Sequence, residues 1–259
     1  PDMLDSVTNY ECYKGLYSSH NERNYFEIGY SLNRQFGNGG IYQGLDLYNF
    51  VDNHDVNRLA STVKNKEDLF NIYTILFTMP GIPSIYYGSE YAVEGRKHNG
   101  SDADIRPCLQ LCEFDSEKLC EHLALLSFVH KMKACSHGSY EQVLLRNEQF
   151  VFCRSCEQDS LYIACNVADA DYEAELPIPQ GCWKDFLRGT TYRSEGGSLQ
   201  LTIPAKSSCI LYKDNESEQT VTEDCSISYG EARDLMEEEQ SAVYAVPIFV
   251  KPLKEAEGL

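Results

Sequence analysis

No uninterrupted apolar run approaches the roughly 18 to 20 residues that a membrane-spanning helix requires, so a helical span is not expected. The opening residues PDMLDSVTNY carry neither a basic start nor an apolar h-region, and the expectation is a chain neither anchored nor exported, with a cytoplasmic setting. Basic residues are scarce: 22 Lys and Arg stand against 40 Asp and Glu, a net charge of −18. Such a surface repels nucleic-acid phosphates and anionic membranes, and the partners expected are neutral or cationic. A cysteine framework is missing as well, because eleven cysteines cannot all pair within one chain and their spacing is irregular. Cys153-x-x-Cys156 has no second Cys or His pair to complete four zinc ligands, so reduced thiols and no metal are expected. Internal repeats and low-complexity tracts are absent.

What is present is globular: 42% hydrophobic residues over 259 positions suffice for one large domain or two ordinary ones. The first half alternates strand-like and helix-like segments, the pattern of βα units. Residues Leu4 to Tyr10 and Leu47 to Asp52 read as short buried strands, with a helix from Glu22 to Phe36 between them that ends at Gly37-Asn38-Gly39-Gly40. Asn65 reads as the N-cap of a second helix, with Glu67 and Asp68 in its first turn and Leu69, Ile72, Tyr73 and Leu76 on one face. Pro80-Gly81 stops it. Ile82 to Tyr87 reads as a third strand and Ser116 to Ala134 as a third helix, buried along Leu119, Leu123, Leu126 and Val129.

From Tyr140 to about Asp214 the period changes to two: Leu161, Ile163, Cys165 and Val167 face one way, Tyr162, Ala164 and Asn166 the other. Leu199, Leu201 and Ile203 repeat the device, and Gly, Asp, Asn and Pro punctuate the runs, which predicts a small antiparallel β-sandwich. The expected organisation is an α/β unit over residues 1–138, the sandwich over 139–214 and an acidic tail over 215–259. That tail contains Glu237-Glu238-Glu239 and, near its end, the apolar run Val246 to Val250, which could add a strand.

Candidate chemistry concentrates where apolar strands end in polar clusters, because α/β folds build sites at the C-terminal ends of parallel strands. Tyr48-Asn-Phe-Val-Asp-Asn-His-Asp-Val-Asn-Arg58 is one such strand end. Asp55 lies close in sequence to Asn53, His54 and Arg58, which could hold it ionised; by chemistry alone it is an electrostatic stabiliser, a nucleophile, or part of a structural turn. Ile82-Pro-Ser-Ile-Tyr-Tyr-Gly-Ser-Glu90 repeats the arrangement, and Glu90 either forms a carboxylate pair with Asp55 or anchors a loop.

Phe50-Val-Asp-Asn-His-Asp55 resembles the motif at the end of barrel strand seven in the alpha-amylase family of glycoside hydrolases, and Pro80-Gly-Ile-Pro-Ser-Ile-Tyr-Tyr-Gly-Ser-Glu90 is similar to that family's strand-eight motif. Leu4-Asp-Ser-Val-Thr-Asn-Tyr10 resembles strand six, particularly in neopullulanase-like members. The resemblance covers residues 1–214. It implies an α/β fold made of the C-terminal part of a (β/α)8 barrel followed by an antiparallel β-sandwich, and retaining chemistry at α-glucosidic bonds of α-glucans or maltooligosaccharides. It also implies that Asp55 is the transition-state stabiliser and that His54 binds the same sugar ring. Asp102-Ala-Asp-Ile-Arg106 matches the family's Asp-x-x-x-Arg pair, which contacts a more distant glucose unit. Asn53, Arg58 and Glu90 take supporting places. Arg58 matches an arginine that binds chloride in some members and occurs without chloride in others, so no ion is expected.

No segment of the sequence matches the family's Gly-x-Arg-x-Asp nucleophile motif or its strand-five general acid. The expectation is a C-terminal fragment that does not cleave glycosidic bonds by itself; no cofactor is expected here, and calcium is left to the full-length parent. Three barrel strands alone would leave the inner faces of Val7, Val51 and Ile85 without opposing layers, predicting marginal stability. The competing reading is a non-catalytic carbohydrate-binding or degenerate module.

Overall fold

The computed structural model describes residues 6–98, 100–110, 117–157 and 159–214. The expected start of the first strand at Leu4 and the whole acidic tail, with its Glu237–Glu239 cluster and Val246–Val250 run, lie outside the described residues. So does Ser116, the expected first residue of the third helix.

The first strand is reduced to a parallel bridge between Thr8 and Tyr48, because the chain turns at once into α1 (Tyr10–Asn21). Asn9 caps that helix, its side chain accepting from Cys12 N at 3.1 Å, while Cys12, Leu16 and His20 form the buried stripe. The sequence reading took Tyr10 as strand and gave no helix here. Asn9 followed by buried positions four apart is the signal it passed over.

The next helix, α2 (Phe26–Phe36), begins four residues later than expected, since Glu22 closes α1 and Tyr25 is the N-cap. Ile28, Leu32 and Phe36 carry its buried face. Two short strands follow, β1 (Tyr48–Asn49) and β2 (Ile82–Pro83), paired in parallel so that Tyr48 faces Ile82. Between them lie a single turn, α3 (Leu59–Thr62), and α4 (Asp68–Thr78). Asn65 stands two residues before the observed N-cap, Glu67: its Oδ1 accepts from Glu67 N at 3.0 Å, and three i to i+3 bonds lead into the helix. α5 (Glu117–Lys131) buries Leu119, Leu123, Leu126 and Val129 as expected, and α6 (Lys133–Ser136) follows after Met132.

A buried amide cluster fixes the strand ends. Asn9 Nδ2 donates to Gln35 Oε1 and to Asn49 Oδ1, both at 2.9 Å, and Asn49 Nδ2 donates to Pro80 O at 2.8 Å. Each of these groups would be costly to bury unpaired, so together they hold the three parallel segments and α2 in one arrangement.

The rest of the described chain is antiparallel. β3 (Ser139–Leu145), β4 (Gln149–Cys156), β5 (Asp159–Asn166), β7 (Gly181–Asp185), β8 (Thr191–Ser194) and β10 (Ser207–Lys213) form one sheet in the order β3-β4-β5-β10-β7-β8. β6 (Tyr172–Leu176) and β9 (Leu199–Ile203) form a separate pair. The two faces of the large sheet have different neighbours. Phe150, Phe152, Leu161, Ile163, Cys165 and Ile210 join the core built by the helices. Val151, Tyr162, Ala164, Trp183 and Leu211 share a second core with Ala174, Leu176, Leu199, Leu201 and Ile203 of the pair. Burial on both faces is why the middles of β4 (Phe150–Cys153) and β5 (Leu161–Cys165) are continuously apolar.

Side chains aimed at exposed backbone groups dock α4 on the sheet. Asn71 Nδ2 donates to Asn166 O at 2.9 Å, and the buried Arg154 donates to Thr78 O at 2.7 Å, Gly138 O at 2.8 Å and Ser139 O at 3.1 Å. All the described residues belong to one compact unit. Val7 is 50% exposed, as the open-barrel expectation required, and Tyr48 and Ile82 are exposed beside it. Val51 is a correction: it is 1% exposed and packed in the helical core, and Ile85 also packs against that core, so the open face is narrower than expected.

Described cysteines are free thiols, among them Cys153 and Cys156 of the x-x spacing; burial pushes the Cys153 thiol up to about 11. Among the described residues no group of three or more His, Cys, Asp or Glu is placed to hold a metal, and no helix is long and apolar enough to cross a membrane.

Candidate functional site

Beyond β1 the chain leaves its parallel pairing and makes a tight polar turn. Asn53 Oδ1 accepts from Asp55 N at 2.8 Å, the short side chain capping the backbone two residues on. The turn therefore presents His54 and Asp55 outward, 59% and 50% exposed at their side chains, with His54 Nε2 at 3.2 Å from Asp55 Oδ2.

The guanidinium beside Asp55 belongs to Arg106. Its Nη2 lies 3.4 Å from Asp55 Oδ1 and 2.9 Å from Asp102 Oδ2, while its Nε donates to His54 O at 3.0 Å. One planar fork thus ties two carboxylates and a backbone carbonyl together across some fifty residues of sequence. Four of the expected site residues, His54, Asp55, Asp102 and Arg106, meet in one patch.

Arg58 is a correction. It was expected to help hold Asp55, but it is fully buried, donates to Tyr87 O at 2.6 Å and lies over the Tyr86 and Tyr87 rings, 4.1 and 4.9 Å from their centroids. Its charge also acts on Asp52, a residue the sequence reading did not single out. Asp52 accepts from Leu59 N at 2.9 Å and from the Ser89 hydroxyl at 2.8 Å. Burial raises its carboxyl above the ordinary carboxylate range, against the opposing pull of Leu59 N–H, Ser89 and Arg58. Asp52, Arg58 and Ser89 form a buried brace that pins the polar turn to the segment after β2.

Glu90 sits in a single 3-10 turn, Ser89–Tyr91, behind that brace; it acts electrostatically on buried Asp52 and Tyr73 rather than joining the exposed patch. Gly88, at φ +85°, makes the turn, and a Cβ there would meet Leu109 at 2.7 Å.

Lys97 and Asn57 complete the patch without having been singled out. Lys97 Nζ donates to Asp55 O at 3.1 Å, and Lys97 N donates to Asn57 Oδ1 at 2.7 Å. They close one side of an open cleft of about 770 Å3 lined also by Tyr13, Ser101 and Asp102. Nothing local in the sequence marks Lys97, since its partners lie some forty positions upstream.

Residues 40–133 match the family model of the alpha-amylase catalytic domain, a stretch that holds every candidate site residue from Asn53 to Arg106. Among curated relatives, the cyclomaltodextrin glucanotransferase of Bacillus licheniformis is 24% identical over 185 residues, covering 68% of this chain and 25% of that protein. A second, from Geobacillus stearothermophilus, is 26% identical over 161 residues, covering 61% of this chain and 22% of its own length. The chain thus spans about a quarter of the curated relatives it matches. In fold it is similar to the alpha-amylase of Geobacillus thermoleovorans, a structure solved with acarbose, at a TM-score of 0.73 and 19% identity over 82% of this chain and 49% of that one. A cyclomaltodextrinase structure aligns at a TM-score of 0.70 and 19% identity, over 82% of this chain and 37% of its own. The neighbours' architecture contains a TIM barrel, of which this chain aligns with part. By these matches the chain is similar to a segment of alpha-amylase family proteins, its catalytic-domain likeness lying in residues 40–133.

Proposed function

We propose that this chain supplies the substrate-holding side of a retaining glycosidase active site for α-glucans, with Asp55 stabilising the transition state. In this reading residues 1–138 are the last part of a (β/α)8 barrel, residues 139–214 its C-terminal β-sandwich, and residues 215–259 an appended acidic segment. The observation that carries it is the Arg106 fork joining Asp55 to Asp102, which sets carboxylate oxygens and guanidinium N–H groups side by side at a strand end. Vicinal sugar hydroxyls are both donors and acceptors, and such a mixed rim suits them.

As an α-glucosidic bond breaks, positive charge develops on the anomeric carbon and ring oxygen, and the sugar flattens. A carboxylate fixed beside the ring, Asp55, favours that distorted and charged form over the ground state. His54, 3.2 Å from Asp55, would donate to the same ring, and Asp102 with Arg106 would hold a neighbouring unit. The nucleophile and general acid find no match in the 259 residues, so this chain alone binds and does not cleave.

The test is a titration of the purified chain with maltotriose, followed by amide shifts, beside a hydrolysis assay on maltotriose. Binding near residues 53–57 and 102–106, about tenfold weaker in Asp55→Asn or Arg106→Ala, with no hydrolysis, is the expected result. Binding unaffected by either substitution refutes the assignment of these residues. Hydrolysis by the chain itself refutes the division of labour.

A further inference from the structure

The cleft beside the Asp102–Arg106 pair has two unlike walls. One is polar: Asn57, Lys97, Ser101 and Asp102, from two loops laced together by Lys97 N to Asn57 Oδ1 and Lys97 Nζ to Asp55 O. The other is aromatic and comes from α1, an element to which no role in the site has been given. Tyr13, one turn into that helix, lines the cleft.

Its ring is held from several sides. It stacks on Phe50 with centroids 4.9 Å apart and planes 6° from parallel, and it meets Tyr10 and Tyr17 edge-on at 6.1 and 5.3 Å. Phe50 is anchored in turn, buried to 1% and in edge contact with Tyr10 at 5.0 Å. Four aromatic rings thus make a rigid ladder from the core outward, whose member at the cleft is Tyr13. Side chains with so little freedom left lose little entropy when a ligand packs on them.

A pyranose is itself two-sided. Its rim of equatorial hydroxyls seeks donors and acceptors, while its axial C–H groups form an apolar patch that prefers an aromatic surface to water. A volume of about 770 Å3 is within the range of small-ligand sites. We propose that Tyr13 is the aromatic wall of a sugar subsite in this cleft, packing against one glucose unit of a maltooligosaccharide whose hydroxyls meet Asn57 and Asp102. The inference rests on the α-glucan reading above and adds to it a contact from the helix that follows the first parallel segment. Burial, then neighbouring Tyr17 and Asp52, push the Tyr13 hydroxyl up to about 12, so the wall stays neutral across the ordinary pH range.

The experiment titrates maltotriose into the full chain by NMR for wild type, Tyr13→Phe, Tyr13→Leu and Asp102→Asn. Tyr13→Leu is expected to weaken binding roughly five- to tenfold, Tyr13→Phe to stay within about twofold, and Asp102→Asn to weaken binding independently. In the wild type, saturation of the Tyr13 ring protons should transfer to the sugar C–H protons. Loss in Asp102→Asn with wild-type affinity in Tyr13→Leu overturns the aromatic wall and leaves the α-glucan reading standing. Equal losses in Tyr13→Phe and Tyr13→Leu would mean the hydroxyl, not the ring, is the contact, and also overturn it. No binding of maltotriose by the wild type overturns both. Should Tyr13→Leu fail to fold, the ring-to-sugar transfer in the wild type decides alone, and its absence in a saturated complex refutes the proposal.

Discussion

Stability of this chain should fall steeply between pH 7 and pH 5, and His20 accounts for a calculable share. His20 is 2% exposed, with Nδ1 at 2.6 Å from Leu16 O and Nε2 at 3.1 Å from the Tyr25 hydroxyl. Leu16 O can only accept, so Nδ1 carries the proton and Nε2 accepts from Tyr25: a neutral imidazole satisfied at both nitrogens. A second proton on Nε2 would bury a cation, and burial, aided by nearby Lys206 and opposed by the Leu16 carbonyl, lowers its pKa from 6.5 to about 4. Because the folded value lies below the unfolded one, the unfolded chain binds the extra proton first. The stabilisation is therefore complete above about pH 6.5, shrinks as pH falls through the window, and is gone below about pH 4. Integrated over the window it amounts to ~3 kcal/mol, of which ~2 kcal/mol is lost between pH 7 and pH 5. His122, lowered to about 4 by burial and nearby Arg188 against the opposing pull of Phe70 O, contributes a comparable loss in the same window. The buried carboxyls Asp52 and Asp68, raised by burial, work in the opposite sense, so histidine variants are needed to isolate the effect. Denaturant unfolding at pH 7, 6 and 5 of wild type and His20→Gln measures it: the substitution should reduce the pH 7 to pH 5 difference by ~2 kcal/mol, whatever it does to absolute stability. An unchanged difference, or a His20 ring that titrates near 6.5 in the folded protein, would refute the reasoning.

The buried brace predicts that Asp52→Ala costs roughly 2 to 4 kcal/mol, because it strips the buried Leu59 N and Ser89 hydroxyl of their acceptor. Asp52→Asn, keeping one acceptor, should lose clearly less, and equal denaturation midpoints for the two variants would contradict this account. Gly81 opens β2 at φ +108°, and a Cβ there would lie 2.5 Å from Leu47 O and 2.7 Å from Asn49 Nδ2. Gly81→Ala should therefore lower the melting temperature by an amount equivalent to about 2 kcal/mol or more, and a neutral effect would show that the parallel strand pair is not held as described.

Three strand-end motifs, the period-2 alternation of Leu161 to Val167 and the leucine stripe of α5 were legible without coordinates, because local periodicity and cap chemistry depend on neighbours in sequence. Asn53 was likewise readable as a turn-capping residue beside Asp55, since the bond it makes spans only two positions. The strand lengths were not. Leu47–Asp52 and Ile82–Tyr87 are apolar enough to be strands, yet pair regularly over only two residues each, because strand extent depends on what lies alongside. Sequence also could not choose between the two arginines near Asp55. Arg58, three positions away, turns inward onto Tyr86 and Tyr87, and Arg106, fifty-one positions away, arrives to hold the carboxylate. The same holds for Tyr13: a helix that follows one parallel segment lays its aromatic side chain along a cleft made by loops that follow two others. Which residues could do the chemistry was set by the sequence, through residue type and local spacing. Which of them share a surface was decided only when parallel strands put the ends of distant segments side by side.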